Sequence, residues 1–389
     1  MEISVNRAYD KKYEEGFPLL IKEWLVEFPM MEGEIFHLFS SKGQFIAKGY
    51  LGQQNKGLGW VLTPKESEPI DETFFMNRLI VAMNKRKKFF YDEKTTAFRL
   101  FNGEGDGIGG VTIDCYGGYY LFNWYSKGIY RFREMILGAF ERIAVARGIY
   151  EKRRFDDGDF QEDWVKGRRA PKPLVVLENG VKIGVDLDDG LMTGIFLDQR
   201  EVRKRIMESY ARDARVLNTF SYTGLFSLFA LLGGAGHTVS VDLANRSYPR
   251  TVEQLSLNGI DHESQDILVQ DVFHYFKFAQ KNRETFDLII LDPPSYAKSR
   301  DYTFKVQKDY PKLLKESLGI LAPGGVIVAA TNQSSYAREA FRSMIEKTFE
   351  TEGFRAQIIE SFELPEDFKR VPDLMESDYL KVFFIKRGL

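Results

Sequence analysis

The sequence contains one cysteine, Cys115, among 389 residues. That excludes an intramolecular disulfide and a metal cluster built on cysteines, and no metal site is expected. It fits a reducing compartment, so a cytoplasmic location is expected. Long hydrophobic runs are missing too: no stretch approaches the roughly 20 apolar residues that span a bilayer, and no membrane partner is expected. The opening residues, Met1-Glu2-Ile3-Ser4-Val5, lack the basic-then-apolar pattern of a secretory signal. A surplus of positive charge is also absent. With 54 Lys and Arg against 56 Asp and Glu, the net charge is −2, so the chain as a whole is not a basic nucleic-acid binder. Repeats and low-complexity tracts are absent.

The charge that is present is unevenly spread. Residues 1–72 hold 8 Lys and Arg against 12 Asp and Glu, residues 73–170 hold 18 against 13, and the rest hold 28 against 31. A surface that contacts phosphates should therefore draw on the middle segment. The length suggests two or three domains, and 44% hydrophobic residues suffice for real cores.

Residues 1–72 read as short strands. Gly33–Phe39 and Gln44–Tyr50 flank a Ser-Ser-Lys-Gly turn, a hairpin pattern, and a small β-barrel is expected. A helix is expected from Asp71, with a basic end at Lys85-Arg86-Lys87-Lys88 that suits either a solvated helix terminus or RNA contact. Strands are expected at Gly109–Asp114 and Tyr119–Tyr125, and a helix from Tyr130 to Ala146. Residues 151–172 read as a loop or linker. Asn179-Gly180 marks a hairpin between Leu174–Leu177 and Val181–Val185. After Thr193, apolar strands alternate with amphipathic helices, which implies an α/β fold: a mainly parallel sheet with helices on both faces. The expected domains are 1–72, 73–172 and 173–389, the last entered by the hairpin at 174–185.

The chemistry gathers at strand ends of the last domain. Phe286–Leu291 reads as a buried parallel strand, stopped by Asp292-Pro293-Pro294-Ser295-Tyr296 where the crevice of an open α/β sheet lies. Neither proline carries an N–H, so carbonyls and the Asp292 carboxylate remain as acceptors beside the Tyr296 ring, a setting for a flat, donor-bearing group. Ala214–Asn218 leads into Thr219-Phe220-Ser221-Tyr222-Thr223-Gly224. That turn lacks the dinucleotide fingerprint G-x-G-x-x-G and the lysine of a P-loop. Asp242 ends the next strand, placed for ribose hydroxyls, and Asp271 ends a third, placed for an adenine amino group. Three acids in this order after a glycine turn point to an adenosine-type cofactor, and S-adenosylmethionine (SAM) fits better than NAD.

Thr193-Gly194-Ile195-Phe196-Leu197-Asp198-Gln199-Arg200, the Asn218–Gly224 run, Ser240-Val241-Asp242, Gln270-Asp271-Val272-Phe273 and Asp292-Pro293-Pro294 resemble SAM-dependent large-subunit rRNA methyltransferases. Over nearly the whole chain the nearest likeness is the PUA-containing 23S rRNA cytosine-C5 branch, and Gly103–Asp114 is similar to that branch's central signature. The resemblance implies an N-terminal PUA domain, a central mixed α/β domain and a Rossmann-like class I methyltransferase domain. It implies 23S rRNA as partner and is compatible with a homodimer. Among site residues it implies Phe220, Ser221, Tyr222 and Gly224 around the methionine moiety, with Asp198, Gln199 and Arg200 beside it, and Asn218 as a further cofactor-binding residue. Asp242 would hold the ribose, Asp271 the adenine, and Asp292 to Tyr296 would face the target base.

The likeness breaks at one point. Cytosine C5 is a poor nucleophile until a thiolate adds at C6, and the C5 branch carries a Ser-Cys-Ser run after its Pro-Gly-Gly strand. Here Ala322-Pro323-Gly324-Gly325 and Val326–Ala330 lead to Thr331-Asn332-Gln333-Ser334-Ser335. The guanine-N7 rRNA methyltransferases resemble this chain in having a polar, Asn-containing run there. The expectation is a 23S rRNA base methyltransferase acting at a nitrogen such as guanine N7, with Tyr296 and Asn332 contacting the base. The alternatives are C5 methylation with another nucleophile, and a small-molecule or protein methyltransferase.

Overall fold

Short alternating segments near the start of the chain pair into a four-stranded sheet in the computed structural model, which describes residues 1–54, 57–155, 163–298 and 303–388. The described residues divide into two units. The first comprises Met1–Leu177, Val185–Thr193 and Glu366–Ser377; the second comprises Glu178–Gly184, Gly194–Pro365 and Asp378–Leu389.

In the first unit, β1 (Glu2–Ser4) is followed by the short α1 (Asp10–Glu14), then β2 (Ile35–Phe39), β3 (Phe45–Leu51) and β4 (Gly59–Thr63), paired in that order. β2 and β3 form the expected antiparallel hairpin. Residues 18–26 hydrogen-bond along both outer strands: Val61 N donates to Pro18 O and Leu20 N to Gly59 O on one side, and Val26 N donates to Ser4 O on the other. That segment covers the edges that an open sheet would leave unpaired.

Asp71 caps α2 (Glu72–Lys85) by accepting from Phe74 N at 2.9 Å. A five-stranded sheet follows in the order β5 (Ala97–Asn102), β6 (Val111–Tyr116), β7 (Tyr119–Trp124), β8 (Gly148–Arg153) and β9 (Trp164–Gly167). The helix expected over Tyr130–Ala146 is interrupted, as α3 (Lys127–Tyr130) and α4 (Arg133–Ile143). The linker reading of 151–172 is corrected by β8 and β9; residues 156–162 lie outside the described set. β8 escapes a hydropathy reading because its charges are buried and paired. Glu151 accepts from Trp124 Nε1, Tyr130 Oη and Arg133 Nε at 3.2, 3.0 and 2.7 Å.

The basic end of α2 is likewise not wholly a solvated face. Arg86 is 1% exposed and reaches Asp106 Oδ2 at 2.7 Å and the Asp367 carbonyl at 2.6 Å. Asp367 belongs to the late segment 366–377, which returns to this unit. Its carboxylate accepts from Arg99 N at 2.9 Å, Phe368 lies under the Arg99 guanidinium, and Leu374 is buried in the core. Gly105 serves this return: a Cβ there would meet the Lys369 carbonyl oxygen at 1.9 Å.

β10 (Leu174–Glu178) and β11 (Val181–Val185) form the hairpin expected at Asn179-Gly180, both of which take positive φ. The second unit then alternates α5 (Arg200–Ser209), β12 (Arg215–Thr219), α6 (Leu225–Leu232), β13 (His237–Asp242), α7 (Ser247–Leu257), β14 (Asp266–Val269), α8 (Val272–Lys281) and β15 (Phe286–Leu291). The short hairpin β16 (Tyr296–Lys298) and β17 (Thr303–Lys305) precedes α9 (Val306–Leu318), β18 (Leu321–Thr331), α10 (Arg338–Thr351), β19 (Arg355–Phe362) and β20 (Lys381–Gly388). The sheet order is β14-β13-β12-β15-β18-β20-β19. Neighbours from β14 to β18 run parallel, and β20 is antiparallel to both of its neighbours. The order reverses direction between β12 and β15, and a ligand crevice opens beyond the carboxyl ends of strands at such a switch point.

Candidate active site

β12 is buried along its apolar positions and must turn sharply to start α6. Phe220, Tyr222 and Gly224 all take left-handed backbone, with φ of 54°, 53° and 73°. Glycine is required at the last of these twice over, since a Cβ would also meet Thr251 Cγ2 at 2.4 Å. Asp242, at the end of β13, holds the turn in place. One carboxylate oxygen accepts from Tyr222 N and the other from Ala244 N, each at 2.8 Å. Each oxygen keeps a further lone pair for a ligand hydroxyl.

The loop before α5 docks on this turn. Thr223 Oγ1 donates to Gly194 O at 2.8 Å, and Gly194 N donates to Tyr222 Oη at 2.9 Å. The rings of Phe196 and Tyr222 lie 5.2 Å apart. Arg203, on α5, donates to Phe196 O at 2.8 Å and forms a two-pronged ion pair with Glu178 at 2.7 and 2.8 Å. Both partners of that pair are buried.

Asp198, Gln199 and Asp292 converge. Tyr379 Oη donates to Asp198 Oδ2 at 2.8 Å, and Gln199 Nε2 donates to Asp292 Oδ2 at 3.2 Å. Burial, and then the negative charge of Asp198, push the Asp292 carboxyl up to about 7; Arg203 and Gln199 pull against them. Gln199 Oε1 is buried with no hydrogen-bond partner among the described residues.

Beyond Asp292, Pro293 is buried and Pro294 is exposed, while the Tyr296 ring is 58% exposed. Ser295 Oγ donates to Asn332 Oδ1 at 2.7 Å. The ends of β15 and β18 are braced from below by Tyr310, whose hydroxyl lies 3.0 Å from both Leu291 O and Ala330 O. Phe220, Ser221, Tyr222, Gly224 and Asp242 thus form one linked group, Asp198, Gln199 and Asp292 a second, and Ser295 and Asn332 a third.

Three expected cofactor residues also make structural bonds of their own. Asn218 is fully buried in β12; its Nδ2 donates to Ser227 Oγ on α6 at 3.0 Å and braces the strand against the helix, while its Oδ1 has no hydrogen-bond partner among the described residues. Arg200 is 2% exposed within the packing at the start of α5, with Nε 3.3 Å from Glu201 Oε1. Asp271 sits at the end of β14 as expected, but one of its oxygens caps α8, accepting from Phe273 N and His274 N at 2.9 and 3.1 Å. The sequence gives Ser295 only as part of the turn from Asp292 to Tyr296, and gives no role to Arg203, Tyr310, Tyr379 or Lys381. Only Ser295 carried a signal, its position inside the Asp-Pro-Pro turn.

The donor and acceptor inventory suits SAM. That molecule presents ribose hydroxyls and an ammonium group, which need acceptors, and the crevice offers the Asp242 and Asp198 carboxylates and the unpartnered Gln199 carbonyl oxygen.

Comparison with known proteins agrees. Residues 142–385 match the family of S-adenosylmethionine-dependent methyltransferases, and residues 3–64 match a PUA-like domain. The chain is 50% identical over 392 residues to a Bacillus subtilis (strain 168) protein named "Putative ribosomal RNA large subunit methyltransferase YwbD", covering 99% of each. It is 30% identical over 366 residues to the ribosomal RNA large subunit methyltransferase I of Aeromonas salmonicida (strain A449), covering 93% of this chain and 92% of that protein. The crystal structure of SMU.776 complexed with SAH, 40% identical, superposes with a TM-score of 0.93 over 99% of this chain and 100% of that one. Sheet order, acceptor-lined crevice and these matches agree: the chain belongs to the S-adenosylmethionine-dependent methyltransferase family.

Proposed function

We propose that the protein methylates a base of 23S rRNA in the large ribosomal subunit, at a ring nitrogen, with guanine N7 as the target atom. Two relatives named for large-subunit rRNA, aligned over at least 90% of the chain, and the PUA-like domain support the rRNA substrate. The observation that carries the nitrogen reading is the absence of a thiol from the crevice. The chain's one cysteine, Cys115, lies in β6 of the first unit, 4% exposed, and burial pushes its thiol up to about 11. Such a thiol is not a nucleophile near neutral pH. After the strand where the C5 branch has its Ser-Cys-Ser run, this chain has Thr331-Asn332-Gln333-Ser334-Ser335, with Asn332 hydrogen-bonded to Ser295.

A guanine ring nitrogen needs neither a covalent adduct nor a base. The N7 lone pair forms the new bond to carbon as the sulfur–carbon bond breaks toward sulfur, and no proton leaves N7. Bound SAM supplies the electrophilic methyl group. The chain's own residues orient and enclose. In this reading Asp242 accepts from the ribose, and the Phe220–Gly224 turn, Asp198 and Gln199 surround the methionine end. Asp271 offers its second oxygen to the adenine, while Asp292 and the Pro293-Pro294 carbonyls accept from the base's own donors. Positioning and exclusion of water then account for the acceleration.

The test is mass mapping of 23S rRNA from a strain lacking the protein, followed by restoration with purified protein and SAM. Loss and restoration of one N7-methylguanine is expected. Loss of a 5-methylcytosine would overturn the nitrogen reading, and an unchanged rRNA would overturn the substrate.

A further inference from the structure

The hydroxyl of Ser295 donates to the carbonyl oxygen of the Asn332 amide at 2.7 Å and so engages that end of the amide. Ser295 is itself held: its carbonyl accepts from Val306 N at 3.1 Å at the start of α9, and the two prolines before it have restricted φ. The run that carries Asn332 is held from the other side. The Lys381 ammonium, 3% exposed, donates to Gln333 O at 3.1 Å and to Tyr379 O at 3.2 Å. Thr331, just before Asn332, is fully buried at the end of β18. Asn332 itself is exposed. An asparagine amide has an acceptor oxygen and a nitrogen with two donors. With the oxygen engaged by Ser295, the nitrogen is the end left to meet a ligand.

Resting on the guanine-N7 reading, we propose that Asn332 determines base specificity by donating from Nδ2 to guanine O6, and that Ser295 is the positioning residue that sets this polarity. On the edge that carries N7, guanine presents N7 and O6 side by side, both acceptors, whereas adenine presents N7 and an amino donor. A donor at this place accepts guanine and meets adenine's amino group donor to donor. Asn332 then orients N7 without taking its lone pair, which stays available for the methyl group. Lys381 keeps the supporting run at a fixed height through the Gln333 carbonyl.

The experiment uses the full chain, SAM and 23S rRNA carrying either guanine or 2-aminopurine, which lacks O6, at the nucleotide mapped in the deletion strain. Wild type is expected to lose on the order of tenfold in kcat/KM on 2-aminopurine beyond any loss seen with Asn332→Ala. Asn332→Asp, of nearly the same shape but with an acceptor in place of the donor, should be poorer still on guanine. Ser295→Ala should lose several-fold on guanine, and Ser295→Thr should recover it because the hydroxyl returns. Calorimetric SAM binding by each variant confirms that its crevice is folded. If Asn332→Ala and wild type respond equally to removal of O6, or Ser295→Ala matches wild type, the proposal falls while guanine N7 stands. If the mapped product is not N7-methylguanine, the underlying reading falls first.

Discussion

Gln199 donates from its side-chain amide to the Asp292 carboxylate at 3.2 Å, tying the loop ahead of α5 to the turn that ends β15. The residue beside it, Asp198, is gripped by the Tyr379 hydroxyl. Two carboxyl groups are therefore brought into one enclosed place by chain segments far apart in sequence. Burial and this proximity set the protonation of Asp292, and with it what the turn can offer a base.

Asp292→Asn should stabilise the protein at alkaline pH while abolishing methylation. The folded-state value of about 7 lies above the ordinary 3.8, so between those limits the folded protein binds more protons than the unfolded chain. Stability from this group falls as pH rises from about 4 to about 7, and the loss is complete above that. Discounted for partial solvent access, removing the charge should add about 1–3 kcal/mol near pH 8 and nothing near pH 4. Urea titrations at the two pH values measure this; an equal effect at both would rule out a strained carboxyl.

Asp242→Asn should weaken SAM binding on the order of tenfold to a hundredfold, as a charge-assisted acceptor is lost and the backbone it holds at Tyr222 and Ala244 loosens. Isothermal calorimetry with SAM reads the change. Unaltered affinity would remove Asp242 from the ribose site.

Asp271 carries two duties that substitution separates. Asp271→Ala should cost about 1 kcal/mol of stability through the lost cap on α8 and should also weaken SAM binding. Asp271→Ser keeps a capping oxygen, so it should restore most of the stability without restoring affinity. If both variants bind SAM as the parent does, Asp271 is a cap alone.

Arg203→Met should cost about 3–5 kcal/mol, because the buried Glu178 carboxylate then has no cationic partner. The double variant Arg203→Met with Glu178→Leu should recover a good part of that. Denaturation midpoints for the two single variants and the double variant form the cycle, and additive losses would mean that the pair is not coupled.

The legible parts of this chain were those where an apolar run meets a turn. Val181–Val185 could be placed by the Asn179-Gly180 turn before it, and Phe286–Leu291 and Asp242 because buried parallel strands are largely apolar and their ends are marked by acids or prolines. The bond from Asn218 to Ser227 was not legible, because a place at a strand end gives no sign of facing; only the packing of Ser227 and Ser240 behind it shows where its amide nitrogen points. β8 and β9 were read as linker because the charges of Glu151 and Lys152 are neutralised by residues elsewhere in the chain, Arg133 and Asp163. Nothing in local pattern announces that Tyr379 would meet Asp198, or that Lys381 would be buried under Gln333. Such contacts come from β20 inserting between β18 and β19, a pairing of distant segments that periodicity does not encode.

The return of residues 366–377 to the first unit bears on how the molecule is made. Asp367 supplies its carbonyl to Arg86 and its carboxylate to the Arg99 backbone N, and Leu374 completes the core there. The second unit in turn needs β20, which is synthesised later still. During translation, then, the first unit emerges without the Asp367 contacts and with a core position unfilled, and it cannot reach its final packing until residues 366–377 have followed. A ribosome stalled short of residue 366 should display a protease-sensitive first unit, where one stalled well past residue 377 displays a resistant one.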